Sequence, residues 1–423
     1  MKKVKMLGVL SASVLLMAGL ASCGSKETKY DLTVWCPVEH QEVYKGFVEK
    51  FKASSDEYKE LNIKIGTCSE ADAYGKVSID VEGAADVFSF ANDQLYNLIN
   101  VGALTQLGGE YETFVKDNNL TGMVNAAQKD GKTYAFPITA DNGYFLYYNG
   151  DVVKNYTETT TFADVASQCA AAGKKFVVPV GDSWYTYGIF SGYGAKYEVT
   201  YGDDGKEQSI TCDYNGANGL KAGNFMLSLN EMKGFQYADG GSSGEKSVVL
   251  NDYITSNVNN IGAVVVGTWQ YNTISEAWGA DKTNCTYLPL MTAGDTTSRM
   301  RSFIGGKMVG VNKLSKNVPL ALKFAKFISG EDAQKTRFEK LSMGPSNTTL
   351  NDSTEVKSNK AIAGLAAQVA KAGDAQINVP STFWTAVQNF GASICYKKEI
   401  NKDNLQEKLD GLVSRFEEIG TLI

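Results

Sequence analysis

Residues 85–96 read ADVFSFANDQLY, and the fold is decided by what lies on either side of them. Asp86, Val87, Phe88 and Ser89 form a short β-branched and aromatic run after the small residues GAA, which predicts a buried strand. The run leads into Phe90, Asn92, Asp93 and Gln94, at the carboxyl end of a strand that precedes a helix, QLYNLINVGAL. In open α/β sheets that edge is where ligands bind. An aromatic ring beside amides and a carboxylate suits a molecule with flat apolar faces and a belt of hydroxyls, such as a sugar. Taken alone, the segment reads more readily as an ordinary strand-to-helix loop with a polar cap.

Working outward, YDLTVWC and LNIKIGTC are two further strands, separated by EHQEVYKGFVEKFKASS. That segment puts Val43, Tyr44, Phe47, Val48 and Phe51 on one helical face. Strand, helix, strand, helix, strand at this spacing is the parallel, doubly wound α/β pattern. QKDGKTYAFPITA follows as a hairpin with Asp130-Gly131 as its turn. From about Asp141 the plan restarts: a strand in GYFLYYNGDVV, a capped helix in TTFADVASQCAAAG and a buried strand in KKFVVPV. GDSWYTYGIFSGYGAKYEVT is dense in aromatics, and YGDDGKEQSI reads as a surface hairpin. GANGLKAGNFMLSLNEMKG is a helix, and IGAVVVGTWQYNTI a strand running into a helix. Two amphipathic helices close the chain: VPLALKFAKFISG, with Leu320, Phe324, Phe327 and Ile328 inward, and NLQEKLDGLVSRFEEIG, striped by Leu405, Leu409, Leu412, Phe416 and Ile419. A chain of 423 residues exceeds one ordinary core, and two α/β lobes are expected.

The N-terminus carries an address. MKKVK is a basic start, MLGVLSASVLLMAGL an apolar core too short for a comfortable membrane span, and Leu20–Cys23 (LASC) resembles the bacterial lipobox. Residues 1–22 are therefore expected to be a lipoprotein signal peptide, Cys23 the lipidated residue and 23–29 a tether. The alternative is a plain signal peptide cut near Ala21–Ser22. No other apolar run of about 18 residues occurs, so the body is expected outside the membrane, tethered by lipid. Composition is that of a globular protein, 43% hydrophobic and 21% charged. The formal charge is −6, and the first 22 residues hold three lysines and no acid, so the remainder is more acidic still. Nucleic acid needs a basic face, and no such partner is expected. Six cysteines remain beyond Cys23. They are widely spaced and read as small buried residues, with a Cys36–Cys68 bridge as an open alternative.

Catalytic signatures are thin. The single histidine, His40, excludes zinc-ligand spacing, and neither a P-loop nor a dinucleotide fingerprint is present. No catalytic residue, metal or cofactor is expected. A secreted glycoside hydrolase is one alternative, for which Asp93, Asp141 and Asp182 would supply the carboxylates such an enzyme uses. Each sits among amides and aromatics, without an apolar pocket to raise an acid's pKa.

Five further segments share the character of 85–96. WCPVEHQ places Glu39 and His40 just past the first strand, and PITADNGY places Asp141, Asn142 and Tyr144 between the halves. GDSWYTY offers Asp182, Trp184 and Tyr185, and GTWQY offers Trp269. INVPSTFWTAVQ sets Trp384 and Gln388 one helical turn apart. Trp35 and Trp278 read as core. In order and spacing, LTVWC, ADVFSFANDQ, GKTYAFPI, LYYNGDVV, GDSWYTY, VVVGTWQY and NVPSTFWTAV resemble the extracellular solute-binding proteins of carbohydrate ABC importers, over almost all of residues 30–420. The maltose/maltodextrin binders are the most similar branch.

The resemblance implies a two-lobed periplasmic-binding-protein-like α/β fold, each lobe a mostly parallel sheet flanked by helices. Lobe one would hold 30–139 and 303–350, and lobe two 140–302 and 351–423, with crossing segments near 138–144, 300–308 and 345–356. It also implies a monomer that binds maltooligosaccharides between the lobes and hands them to permease subunits. The acid–basic pair after the first strand becomes Glu39-His40, with His for the family's Lys; the Trp and Asp-Arg after the third become Phe90, Asp93 and Gln94. Asp141 matches the acid at the first crossover, and Asp182, Trp184 and Tyr185 lie in the segment matching Glu-Pro-Tyr-Phe. Trp269 and Trp384 match the two later tryptophans, and Gln388 replaces an arginine. The aromatic platform is kept while both arginines are lost, which leaves ligand length and linkage open. A binder of a different oligosaccharide on the same fold is the other alternative.

Overall fold

A computed structural model describes residues 29–421, apart from 202–206, 241–247, 377–378 and 380. The signal segment 1–22, Cys23 and nearly all of the tether lie outside the described residues, as does the side chain of Ile419.

Two five-stranded sheets organise the chain. The first runs in the order Ile63–Thr67, Leu32–Cys36, Val87–Ala91, Lys307–Val311, Phe136–Pro137. Val87–Ala91 is buried at every position, because helices cover both faces. Tyr44, Phe47, Phe51, Phe324 and Ile328 pack on one side; Phe88, Phe90, Leu95, Leu98 and Met308 form the cluster on the other. The second sheet runs Phe235–Asp239, Lys175–Gly181, Ile261–Val266, Phe145–Asn149, Thr283–Thr286. Its larger core gathers Phe176, Phe190, Phe225, Phe383 and Phe416.

In each sheet one strand runs against the others: Lys307–Val311 in the first and Phe145–Asn149 in the second. Both reversals have one cause. Each of these strands follows directly on a segment that crosses from the other lobe, and so enters its sheet at the carboxyl edge of the parallel strands. In open α/β sheets that edge is where ligands bind. The crossing segments bond to one another: Asn142 N to Gly305 O at 3.0 Å, Ala140 N to Gly344 O at 2.9 Å. The Asn142 amide also donates to Gln376 Oε1 at 3.0 Å.

The expected hairpin is present, with Asp130 and Gly131 both at positive φ, the primed-turn geometry that matches strand twist. The capped helix is Phe162–Ala171, with a reciprocal Thr161–Asp164 capping box. One helix was not legible. Ser183–Gly192 is buried nearly all round, so it carries no apolar stripe. All six described cysteines are free thiols.

Candidate ligand-binding cleft

Three half-buried tryptophans come from separate parts of the second lobe. Trp184 opens the Ser183–Gly192 helix, Trp269 sits in the single turn Thr268–Gln270 after Ile261–Val266, and Trp384 lies on the Ser381–Cys395 helix. Their rings form a continuous run. Trp184 and Trp269 are 6.0 Å apart between centroids, Trp184 and Phe303 5.8 Å, Phe303 and Trp384 6.4 Å. Beneath them lies a second layer: Tyr144 at 4.8 Å from Trp184, and Tyr187 stacked on Phe303 at 4.7 Å. Phe303, the link between Trp184 and Trp384, was missed. Its only sequence signal is a lone aromatic beside the GG of a crossing segment. Gly267 forms the seat of Trp269, since a Cβ there would fall 2.0 Å from the indole.

Several expected ligand contacts take other roles. Phe90 is fully buried opposite Met308, inside the first lobe's core, so it presents no face to a ligand. Gln94 is spent on the backbone: its amide donates to Glu70 O and Ala71 O, and its oxygen accepts from Tyr74 N at 2.7 Å. Its work is to pin the 70–74 loop. Tyr185 is buried under Trp184 and against Tyr144, part of the floor and not of the wall. Asp182 caps the Ser183–Gly192 helix, its Oδ1 accepting from Trp184 N at 2.9 Å, and burial pushes its carboxyl up to about 6. Asp141 Oδ2 accepts from Gly344 N at 2.6 Å and Thr268 Oγ1 at 2.8 Å. It thereby ties a crossing segment to the turn that carries Trp269. Gln388 is half-buried on the same helix as Trp384, and Glu39 is exposed on the turn after the first strand.

The first lobe gathers titratable groups at the carboxyl end of its strands. His40 Nδ1 lies 3.5 Å from Glu70 Oε1, and both side chains are buried. Burial alone would raise the Glu70 pKa, but the charge of Lys307 and the His40 hydrogen bond outweigh it and hold the carboxyl at about 2. Asp93 is the reverse case. Its Oδ1 is enclosed without a hydrogen-bond partner, and burial pushes its pKa up to about 7; with Asp182 it corrects the expectation that nothing here would raise an acid, since burial does so in both.

This has a stability consequence. Below about pH 4 Asp93 is protonated in folded and unfolded chains alike, and costs nothing. Between about pH 4 and 7 the unfolded chain gives up the proton that the folded one keeps, so stability falls as pH rises. Above pH 7 the cost is full, on the order of 2–4 kcal/mol. Asp93→Asn should therefore melt several degrees above the wild type at pH 8, the two curves meeting near pH 4. Equal melting temperatures at pH 8 would show that Asp93 is not penalised.

Known proteins share this fold. Over 383 residues the chain is 26% identical to the galactooligosaccharide-binding protein of Bacillus subtilis (strain 168), covering 85% of each. It is 27% identical over 390 residues to the maltooligosaccharide ABC transporter solute-binding lipoprotein of Streptococcus pneumoniae (strain ATCC BAA-255 / R6), covering 85% of this chain and 84% of that one. A solved structure with acarbose superposes with a TM-score of 0.80 at 27% identity, over 92% of this chain and 98% of the other. The Thermus thermophilus maltotriose binding protein, bound with maltotriose, shares the fold at 17% identity, with a TM-score of 0.73 over 92% of this chain and 99% of that one. The model of the bacterial extracellular solute-binding proteins matches residues 47–364, three-quarters of the chain, and the protein belongs to that family.

Proposed function

We propose that this protein is the lipid-anchored, monomeric binding component of an ABC sugar importer. It takes maltooligosaccharides into the cleft between lobes 30–139 with 303–350 and 140–302 with 351–423. It then closes on them and presents them to the permease outside the membrane. The observation that carries this reading is the set of half-buried indoles Trp269, Trp184 and Trp384, joined through the buried Phe303, whose open faces would stack on successive sugar units. His40, Glu70 and Asp93 of the first lobe supply polar groups across from it. Since neither wall alone makes both sets of contacts, ligand favours the closed arrangement. Its role is binding without turnover.

Micromolar affinity requires about −8 kcal/mol. Each stacked ring contributes roughly 1.5–3 kcal/mol of apolar burial, and each hydrogen bond to a charged group a similar amount. Three rings and three such bonds exceed the requirement, leaving a margin for the ordering costs of association.

Calorimetry against maltose, maltotriose, longer and branched glucans, galactooligosaccharides and unrelated glycans tests the reading. Micromolar binding of an α-glucan of three or more units is expected, with the glycan recovered intact. Galactooligosaccharides belong in the screen because the relatives named above divide between the two ligands at nearly equal identity. Binding of galactooligosaccharides alone would move the specificity and keep the function. Binding of no glycan, or release of cleavage products, would overturn it.

A further inference from the structure

Lys307 is the first residue of the reversed strand Lys307–Val311, paired with Ala91 at the carboxyl end of Val87–Ala91. Its backbone is fixed there. The amide donates to Thr139 Oγ1 at 3.0 Å, and the carbonyl accepts from Ile138 N at 2.9 Å. The half-buried side chain leaves the first lobe and places Nζ 5.5 Å from the ring centroid of Trp269, a residue of the second lobe. Among the described residues no carboxylate lies within ion-pairing distance of that ammonium. Its charge is nonetheless felt at Glu70, whose Oε1 also faces His40 Nδ1 at 3.5 Å and Ser89 Oγ at 3.4 Å. A cation poised over a stacking ring, beside a buried carboxylate, is an arrangement with both a donor and an acceptor for neighbouring hydroxyls.

We propose that Lys307 is a ligand-contacting, specificity-determining residue of the cleft. A neutral hexose unit laid on Trp269 displaces the ammonium from the ring face, and Nζ then donates to one hydroxyl of that unit. The Glu70 carboxylate accepts from the adjacent hydroxyl. The subsite thus selects an unsubstituted vicinal diol, and it joins the two lobes through one sugar ring. The inference rests on the glycan-binding reading above.

Its test is calorimetry of the wild type, Lys307→Met and Lys307→Arg with maltotriose, or with a galactotriose if that is the glycan the wild type takes. Melting temperatures without ligand are recorded alongside. Lys307→Met keeps the length of the stem and removes the charge. The expected result is a loss of at least tenfold in affinity for Lys307→Met, recovery to within about threefold for Lys307→Arg, and melting temperatures that agree for all three. Wild-type binding with Lys307→Met unchanged would overturn the inference alone. So would an equal loss in both variants, since shape and not charge would then carry the effect. A wild type that binds no glycan would overturn the reading beneath it, and this inference with it.

Discussion

Trp269→Ala and Trp384→Ala should each weaken glycan binding by more than tenfold, and the double variant should show no binding by calorimetry. Both rings are half-buried, so each keeps a face to offer. Loss of one stacked face removes roughly 1.5–3 kcal/mol of apolar burial, which corresponds to about 10–100-fold in affinity. The two rings sit on separate elements and, among the described residues, are linked through Trp184 and Phe303. Their effects should add to within about 0.5 kcal/mol. Trp278 provides the contrast. It is 7% exposed and its Nε1 donates to Val258 O at 3.0 Å, so it is a core residue of its helix. Trp278→Ala should lower stability by about 3–5 kcal/mol and leave the affinity of the folded protein unchanged. Unaltered binding in the Trp269 and Trp384 variants would remove those rings from the site.

That contrast also shows what one sequence can disclose. The alternation of strand and helix was readable because burial imposes periods of two and 3.6 on the residues that face a core. Tryptophans at element ends beside polar groups stood out because bulk indole is rarely placed where a strand stops without something to cover it. Phe90 misled for a related reason. A strand buried on both faces gives no cue to which of its rings points at the cleft, and Phe90 points into the core. Gln94 and Asp182 have the residue types of ligand contacts, but backbone groups reach them first. Whether a polar side chain is already engaged is a three-dimensional fact. Phe303 and Lys307 were invisible because they enter through a crossing segment, Lys307 more than 200 positions after the strand it adjoins and Phe303 more than 100 after Trp184. Glu70 is held in place by the loop that Gln94 pins, so its position too depends on contacts no local pattern contains.

Gly391→Ala is expected to damage fold and binding together. Gly391 lies in the Ser381–Cys395 helix where that helix crosses the Lys175–Gly181 strand, and a Cβ there would fall 1.8 Å from the carbonyl oxygen of Val180. That oxygen cannot retreat: it belongs to a strand held between two parallel neighbours and accepts Thr186 Oγ1 at 2.9 Å. The helix must therefore lift, at a cost of about 2–4 kcal/mol. Trp384 and Gln388 ride on the same helix, and Trp384 is placed against Phe303 by its seating. Lifting it breaks the run of rings, so the folded fraction should bind glycan at least tenfold more weakly. Gly411 controls for the substitution itself. It lies inside the Leu405–Thr421 helix, and a Cβ there would meet nothing within 4 Å, so Gly411→Ala should stabilise the protein by roughly 0.5–1 kcal/mol without touching affinity. Thermal melts and calorimetry on the two variants separate the cases. A Gly391→Ala protein that melts and binds like the wild type would mean that the close approach of helix to strand neither sets the position of Trp384 nor limits stability.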